Sequence, residues 1–193
     1  MVAQRGCDCL MPILPTVAAG SMHGAVVPIA YAANNGSSQT ITFTNIPQIY
    51  QDLLLVTSIR SSTSATTDSI LVQFNSTTSI YSDTDLYGNG SSASSSRGSN
   101  TYGMFAGYCA ANTATSSIFG SHQTHILDYA NTSAYKTTIN RASADLNGSG
   151  YSVLTAGLAR TTSAITTVTV FPASANMIIG STATLYGVRT VNQ

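Results

Sequence analysis

A helix on a protein surface must show water a face of long charged or amide side chains, and this chain has no glutamate and one lysine, Lys136. Serine and threonine fill more than a quarter of its 193 positions, and Val, Ile and Tyr recur between them. Hydroxylated, β-branched and aromatic side chains lose less freedom on a pleated surface than in a helix. The composition therefore predicts an all-β fold. It also leaves few of the carboxylates and ammonium groups that acid, base and charge-clamp catalysis requires.

The pattern from Ser38 onward is strands and turns. Thr40 to Ile46 alternates with Ile41 and Phe43 on one face and hydroxyls on the other. Asp52 to Ile59 and Ser69 to Phe74 read as core strands, and Tyr102 to Tyr108, Ile118 to Tyr129, Tyr135 to Arg141, Ser152 to Leu158, Ile165 to Phe171 and Met177 to Val188 follow. Roughly nine strands spaced by Gly, Asn and Ser clusters predict an antiparallel β-sandwich. Asn147-Gly-Ser-Gly150 reads as a tight hairpin turn. The Ser-rich stretch between Gly88 and Gly103 has no apolar anchor and reads as a long surface loop.

The first 36 residues differ from the rest. Pro12, Pro15 and Pro28 interrupt an apolar drift that has neither helical nor alternating period. Arg5 and Ala30-Tyr31-Ala32 have the look of a signal peptide, but Pro12 and Pro15 break its hydrophobic region. The expectation is an extended N-terminal arm over residues 1–36 and a sandwich domain over 37–193. Such a segment gains order by burying apolar side chains on something else. Leu10, Met11, Ile13, Leu14, Val26, Val27 and Ile29 are the residues expected to dock on another subunit, the alternative being an arm folded back along its own domain.

No catalytic constellation emerges. Nucleophile-elbow, phosphate-loop and His-Glu-x-x-His patterns are missing. His122 and His125 are separated by an odd step, which on a strand points them to opposite faces. Asp83 and Asp85 form the one close carboxylate pair, on one face of a strand or in a turn, with a solvated turn the expectation. Cys7, Cys9 and Cys109 make no disulfide framework, and Cys7-Asp8-Cys9 lacks a second pair to complete a zinc site. No metal or cofactor is expected. Seven basic residues balance seven acidic ones, so no field draws in nucleic acid or anionic lipid, and no apolar run reaches membrane-spanning length. A neutral surface suits a subunit that lives in an assembly.

Ile41-Thr-Phe-Thr-Asn-Ile-Pro-Gln-Ile-Tyr-Gln-Asp-Leu-Leu-Leu-Val56, then Leu127-Asp-Tyr-Ala-Asn-Thr-Ser-Ala-Tyr-Lys-Thr-Thr-Ile139, then Gly180-Ser-Thr-Ala-Thr-Leu-Tyr-Gly-Val188 resembles a β-sandwich module of tailed-bacteriophage virion structural proteins. The resemblance spans about residues 38 to 189 and implies a jelly-roll-like sandwich, often displayed as a trimer, with no enzymatic residues to carry over. Members occur as capsid decoration proteins and as parts of fibres. Without heptads or a shaft repeat, the expectation is a decoration (cement) protein on the capsid surface of the virion, with the major capsid protein and its own copies as partners. A fibre or receptor-binding tip is the alternative, with the Gly88 to Gly103 loop or Tyr81, Tyr87 and Tyr102 meeting host glycan. A polysaccharide hydrolase is the remote one.

Overall fold

The computed structural model describes residues 25–189, which form two antiparallel sheets packed face to face. The strands are β1 (Val26–Ala33), β2 (Ile41–Phe43), β3 (Asp52–Ile59), β4 (Thr67–Phe74), β5 (Tyr81–Gly88), β6 (Ala93–Thr101), β7 (Met104–Ala110), β8 (Gly120–Ile126), β9 (Lys136–Asp145), β10 (Gly150–Ala159), β11 (Val168–Pro172) and β12 (Thr182–Val188). Eight make a large sheet in the order β1-β12-β3-β8-β9-β10-β5-β6, and four make a small one in the order β2-β11-β4-β7. The chain crosses between sheets at each step from β1 to β5, and crosses back and forth again around β7 and β11. That exchange wraps one apolar core, as a β-sandwich requires.

Period-two burial places the core. Leu53, Leu55, Ile59, Ile126 and Leu185 point inward from the large sheet and meet Ile70, Val72, Phe74, Val168 and Val170 of the small one. Each such side chain contributes about 1.5–3 kcal/mol by leaving water. Tyr81 is fully buried among them, edge-on to Phe74 with ring centroids 6.0 Å apart, and its phenol accepts the Phe74 amide at 2.7 Å. A phenol belongs in a core only when such a partner satisfies its oxygen.

Three strands depart from the sequence reading. Residues 26–33, assigned to the arm, are β1, paired along its length with β12 of the same chain. Pro28 hid the strand: it interrupts the apolar alternation, and the register shifts between Pro28 and Ala30, as befits an edge strand that tolerates proline. Val26–Ala33 therefore belong to the sandwich and not to an arm ending at residue 36, while residues 1–24 of the expected arm lie outside the described residues. The expected loop between Gly88 and Gly103 contains β6, the opposite edge of the large sheet, paired with β5 from Tyr81↔Thr101 to Gly88↔Ala93. Both faces of β6 meet solvent, so no alternation marked it. Asp83 and Asp85 lie on β5 instead of in a turn, and they are buried.

The Asn147 turn is as expected. Asn147 and Gly148 have φ of 65° and 104°, the left-handed pair that a two-residue hairpin needs, and Leu146 and Ser149 close it with a 2.8 Å backbone bond.

Candidate functional site

The large sheet overhangs the small one, and β7 lies along the line where the cover ends. β7 pairs with β4 on one side, and among the described residues no strand pairs with its other side. An edge so close to a second sheet leaves backbone groups to satisfy. Side chains of the large sheet do this. Asn140 on β9 donates its amide to the Phe105 carbonyl at 3.1 Å, Asp83 on β5 accepts the Phe105 amide at 3.5 Å, and His122 on β8 lies 3.0 Å from the Tyr108 carbonyl through Nε2. Polar residues stand in for an absent strand.

The close approach explains two glycines. A Cβ on Gly107, whose φ is 129°, would meet the Ala142 Cβ at 2.2 Å, and one on Gly157 would meet the Met104 sulfur at 2.0 Å. Neither position has room for a side chain.

The electrostatics follow from burial. His122 must carry its proton on Nε2 to bond a carbonyl, which leaves Nδ1 to accept from the Thr57 hydroxyl 3.1 Å away. Burial pushes its pKa down to about 4, the carbonyl contact opposing only part of the effect. Asp83 moves the other way. Burial, then the neighbouring charge of Asp85, raises its carboxyl above the ordinary range, against the backbone amides of Phe105 and Gly98. Asp85 accepts the Ser96 hydroxyl at 2.8 Å. Its second oxygen, Thr155 Oγ1, Asn140 Oδ1 and Thr124 Oγ1 find no protein partner among the described residues, although register sets these four residues side by side across β5, β10, β9 and β8.

The remaining buried ionisable groups hold loops. Arg60 donates to the carbonyls of Ala114, Thr115 and Ile118 at 3.0, 2.7 and 2.9 Å. Asp68 accepts the hydroxyls of Ser61 and Thr63, both at 2.7 Å. Lys136 is fully buried and gives its ammonium to the carbonyls of Asn131, Ala134 and Thr162; burial pushes its pKa down. Cys109 is buried, and its thiol is pushed up to about 12, first by burial and then by the Asp68 charge. It therefore carries little of the thiolate that makes a cysteine reactive.

His122 and His125 face opposite sides of β8, as the odd spacing requires. His125 pairs with Asp52 at 3.1 Å at the domain surface, while Asp52 also accepts the Asp128 amide at 2.9 Å. Among the described residues no three His, Cys, Asp or Glu side chains gather as a metal site, and no helix is long and apolar enough to cross a membrane.

Of the residues expected to bind a partner, Val26 is exposed, Val27 is half-buried and Ile29 packs against the chain's own core. Leu10, Met11, Ile13 and Leu14 lie outside the described residues. Of the tyrosines considered for glycan, Tyr81 is spent in the core. Tyr102 is exposed and sits edge-on to Phe171, and Tyr87 belongs to a group that sequence reasoning missed.

That group is Phe105 and Tyr108 from β7 with Tyr87 and Tyr151 from the overhanging sheet. Tyr108 is the hub, with ring centroids 4.6 Å from Tyr151, 5.1 Å from Phe105 and 6.3 Å from Tyr87. All four are half-buried. Beside them, between the β5–β6 and β9–β10 turns, lies a cavity of about 800 Å³ lined by Asn89, Ser91, Ser143, Asp145, Tyr151 and Ser152 among others. The rings come from residues far apart in sequence, so only the register of β5, β7 and β10 brings them together.

No protein-family model, curated protein or solved structure matches the chain.

Proposed function

We propose that the chain is a structural subunit of a tailed-bacteriophage virion, a capsid decoration (cement) protein whose sandwich forms a trimeric head on the shell and whose leader grips the major capsid protein. One observation carries the reading. β1, the strand that follows the apolar leader in sequence, is an edge strand of the large sheet, so the point where the leader joins the described residues is at the border of the domain and not at its centre. Leu10, Met11, Ile13 and Leu14 then supply apolar area for neighbouring shell subunits, at about 25 cal/mol for each Å² removed from water. Three leaders on one trimer act at high effective concentration once the first is docked, so weak contacts sum.

In this reading the chain is not an enzyme and needs no cofactor. Asp83, His122, Lys136 and Arg60 are spent on a strand edge and on loops, and Asp83 and Asp85 are buried. The formal net charge of zero favours neither nucleic acid nor membrane as a partner. The fibre-tip reading draws its support from the tyrosine group alone.

The test compares the full chain with one beginning at Ala25, so that β1 stays in the sheet. Both are mixed with purified particles lacking the protein and sedimented. The full chain is expected to co-sediment and the shortened one, folded by circular dichroism, to stay in solution. Equal binding by the two would refute the leader's role.

A further inference from the structure

We propose that the tyrosine-lined end of the sandwich, between the β5–β6 and β9–β10 turns, binds a neutral oligosaccharide. Tyr151 connects the two halves of the site: its ring belongs to the aromatic group, and the same residue lines the cavity of about 800 Å³. That volume lies within the range of small-ligand sites. A smaller hollow of about 200 Å³, reaching to Thr66 and Thr67 at the start of β4, is also lined by Tyr151.

Tyr151 lines the groove, Tyr87 and Tyr108 stand beside it against the Tyr151 ring, and the chemistry of these groups selects the ligand. None of the phenol oxygens of Tyr87, Tyr108 and Tyr151 bonds to protein among the described residues, although Tyr81 and Tyr129, the phenols of the core, both do. Three tyrosines that keep an apolar ring against neighbours and an unengaged hydroxyl offer a stacking face beside donors and acceptors, which a pyranose ring with its apolar face and equatorial hydroxyls uses together. Asp145 adds a carboxylate, one oxygen of which accepts the Asn147 amide at 2.9 Å while the other makes no bond among the described residues. A carboxylate accepts sugar hydroxyl protons strongly.

Charge decides between sugar classes. The lining contains Asp145 and no lysine or arginine, so an anionic sugar would bring its charge to a groove whose one charged side chain is a carboxylate. Hexose or N-acetylhexosamine chains without carboxylate, sulfate or phosphate are the complementary ligands. The rigid placement of the rings on β5, β7 and β10 means that little order has to be gained on binding.

This inference is independent of the shell-binding reading, since it concerns the opposite edge of the large sheet from β1. The experiment titrates the full chain with maltohexaose, cellohexaose and the hexamer of N-acetylglucosamine, and with sialyllactose and a galacturonate hexamer as anionic counterparts. Calorimetry reads affinity, and tyrosine emission reports the rings, because the chain contains no tryptophan. At least one neutral hexamer is expected to bind, more tightly than either anionic sugar. Tyr151→Ala is expected to weaken it by about tenfold, and the triple change of Tyr87, Tyr108 and Tyr151 to Phe, which keeps the rings and removes the hydroxyls, by several-fold. Should Tyr151→Ala fail to fold, the triple phenylalanine variant decides. No binding by any neutral hexamer, tighter binding of the anionic sugars, or affinity unchanged in the variants overturns the proposal.

Discussion

His122 ties the stability of the sandwich to pH, and its size can be worked out. The imidazole is buried between Thr57 and the Tyr108 carbonyl, and burial holds its pKa at about 4 against an ordinary 6.5. Between those values the unfolded chain binds a proton that the folded chain refuses, so unfolding gains protons and the fold loses stability as pH falls through the window. At about 1.4 kcal/mol for each pH unit, the gap amounts to about 3 kcal/mol, of which about 2 kcal/mol is gone by pH 5. Urea unfolding of the wild type and of His122→Gln, each near pH 7, 5 and 4, isolates the term, because the other titrating groups are common to both. Glutamine keeps a donor for Tyr108 but cannot titrate. The wild type should lose about 3 kcal/mol more than the variant between pH 7 and pH 4. Parallel losses in the two proteins would refute the assignment of a neutral, carbonyl-bound His122.

Three further outcomes follow from the same packing. Gly107→Ala should cost about 2–4 kcal/mol in urea unfolding, because a left-handed backbone and a 2.2 Å approach to Ala142 both oppose a methyl group. Lys136→Met should cost about 2–4 kcal/mol, since it strands the carbonyls of Asn131, Ala134 and Thr162 beside a buried chain. Asp83→Asn should raise the urea midpoint near pH 7 and change it little in strong acid: the folded carboxyl holds its proton to higher pH than the unfolded one, so its favourable contribution is present at low pH and lost as pH rises above the ordinary carboxylate range. A midpoint that falls near pH 7 would contradict the last.

The legible parts of the fold were those where one face of a strand is greasy and the other wet. β3 appears where its apolar run places it, with Leu53, Leu55 and Ile59 turned inward, and β8 and β10 lie within a few residues of expectation although His122, Thr124 and Thr155 make their inner rows partly polar. β5 and β6 were illegible for opposite reasons. β5 turns Asp83 and Asp85 inward to face the exposed edge of β7, so its buried row is polar, and β6 lies beyond the cover of the small sheet, so nothing needs its side chains to be apolar. β1 carries Pro28, which periodicity reads as a break and an edge strand tolerates. The tyrosine group was only partly visible: Tyr87 was singled out, but its partners Tyr108 and Tyr151 lie on strands whose adjacency is a property of sheet order and not of spacing along the chain.

The capsid reading stands or falls most directly on how many copies a particle carries and where. Quantitative mass spectrometry of purified particles that contain the chain, with cryo-electron microscopy to place it, gives both. Hundreds of copies arrayed over the shell in groups of three, with the leaders lying across neighbouring capsid subunits, are what the account predicts. A handful of copies confined to one vertex or to the tail would contradict it.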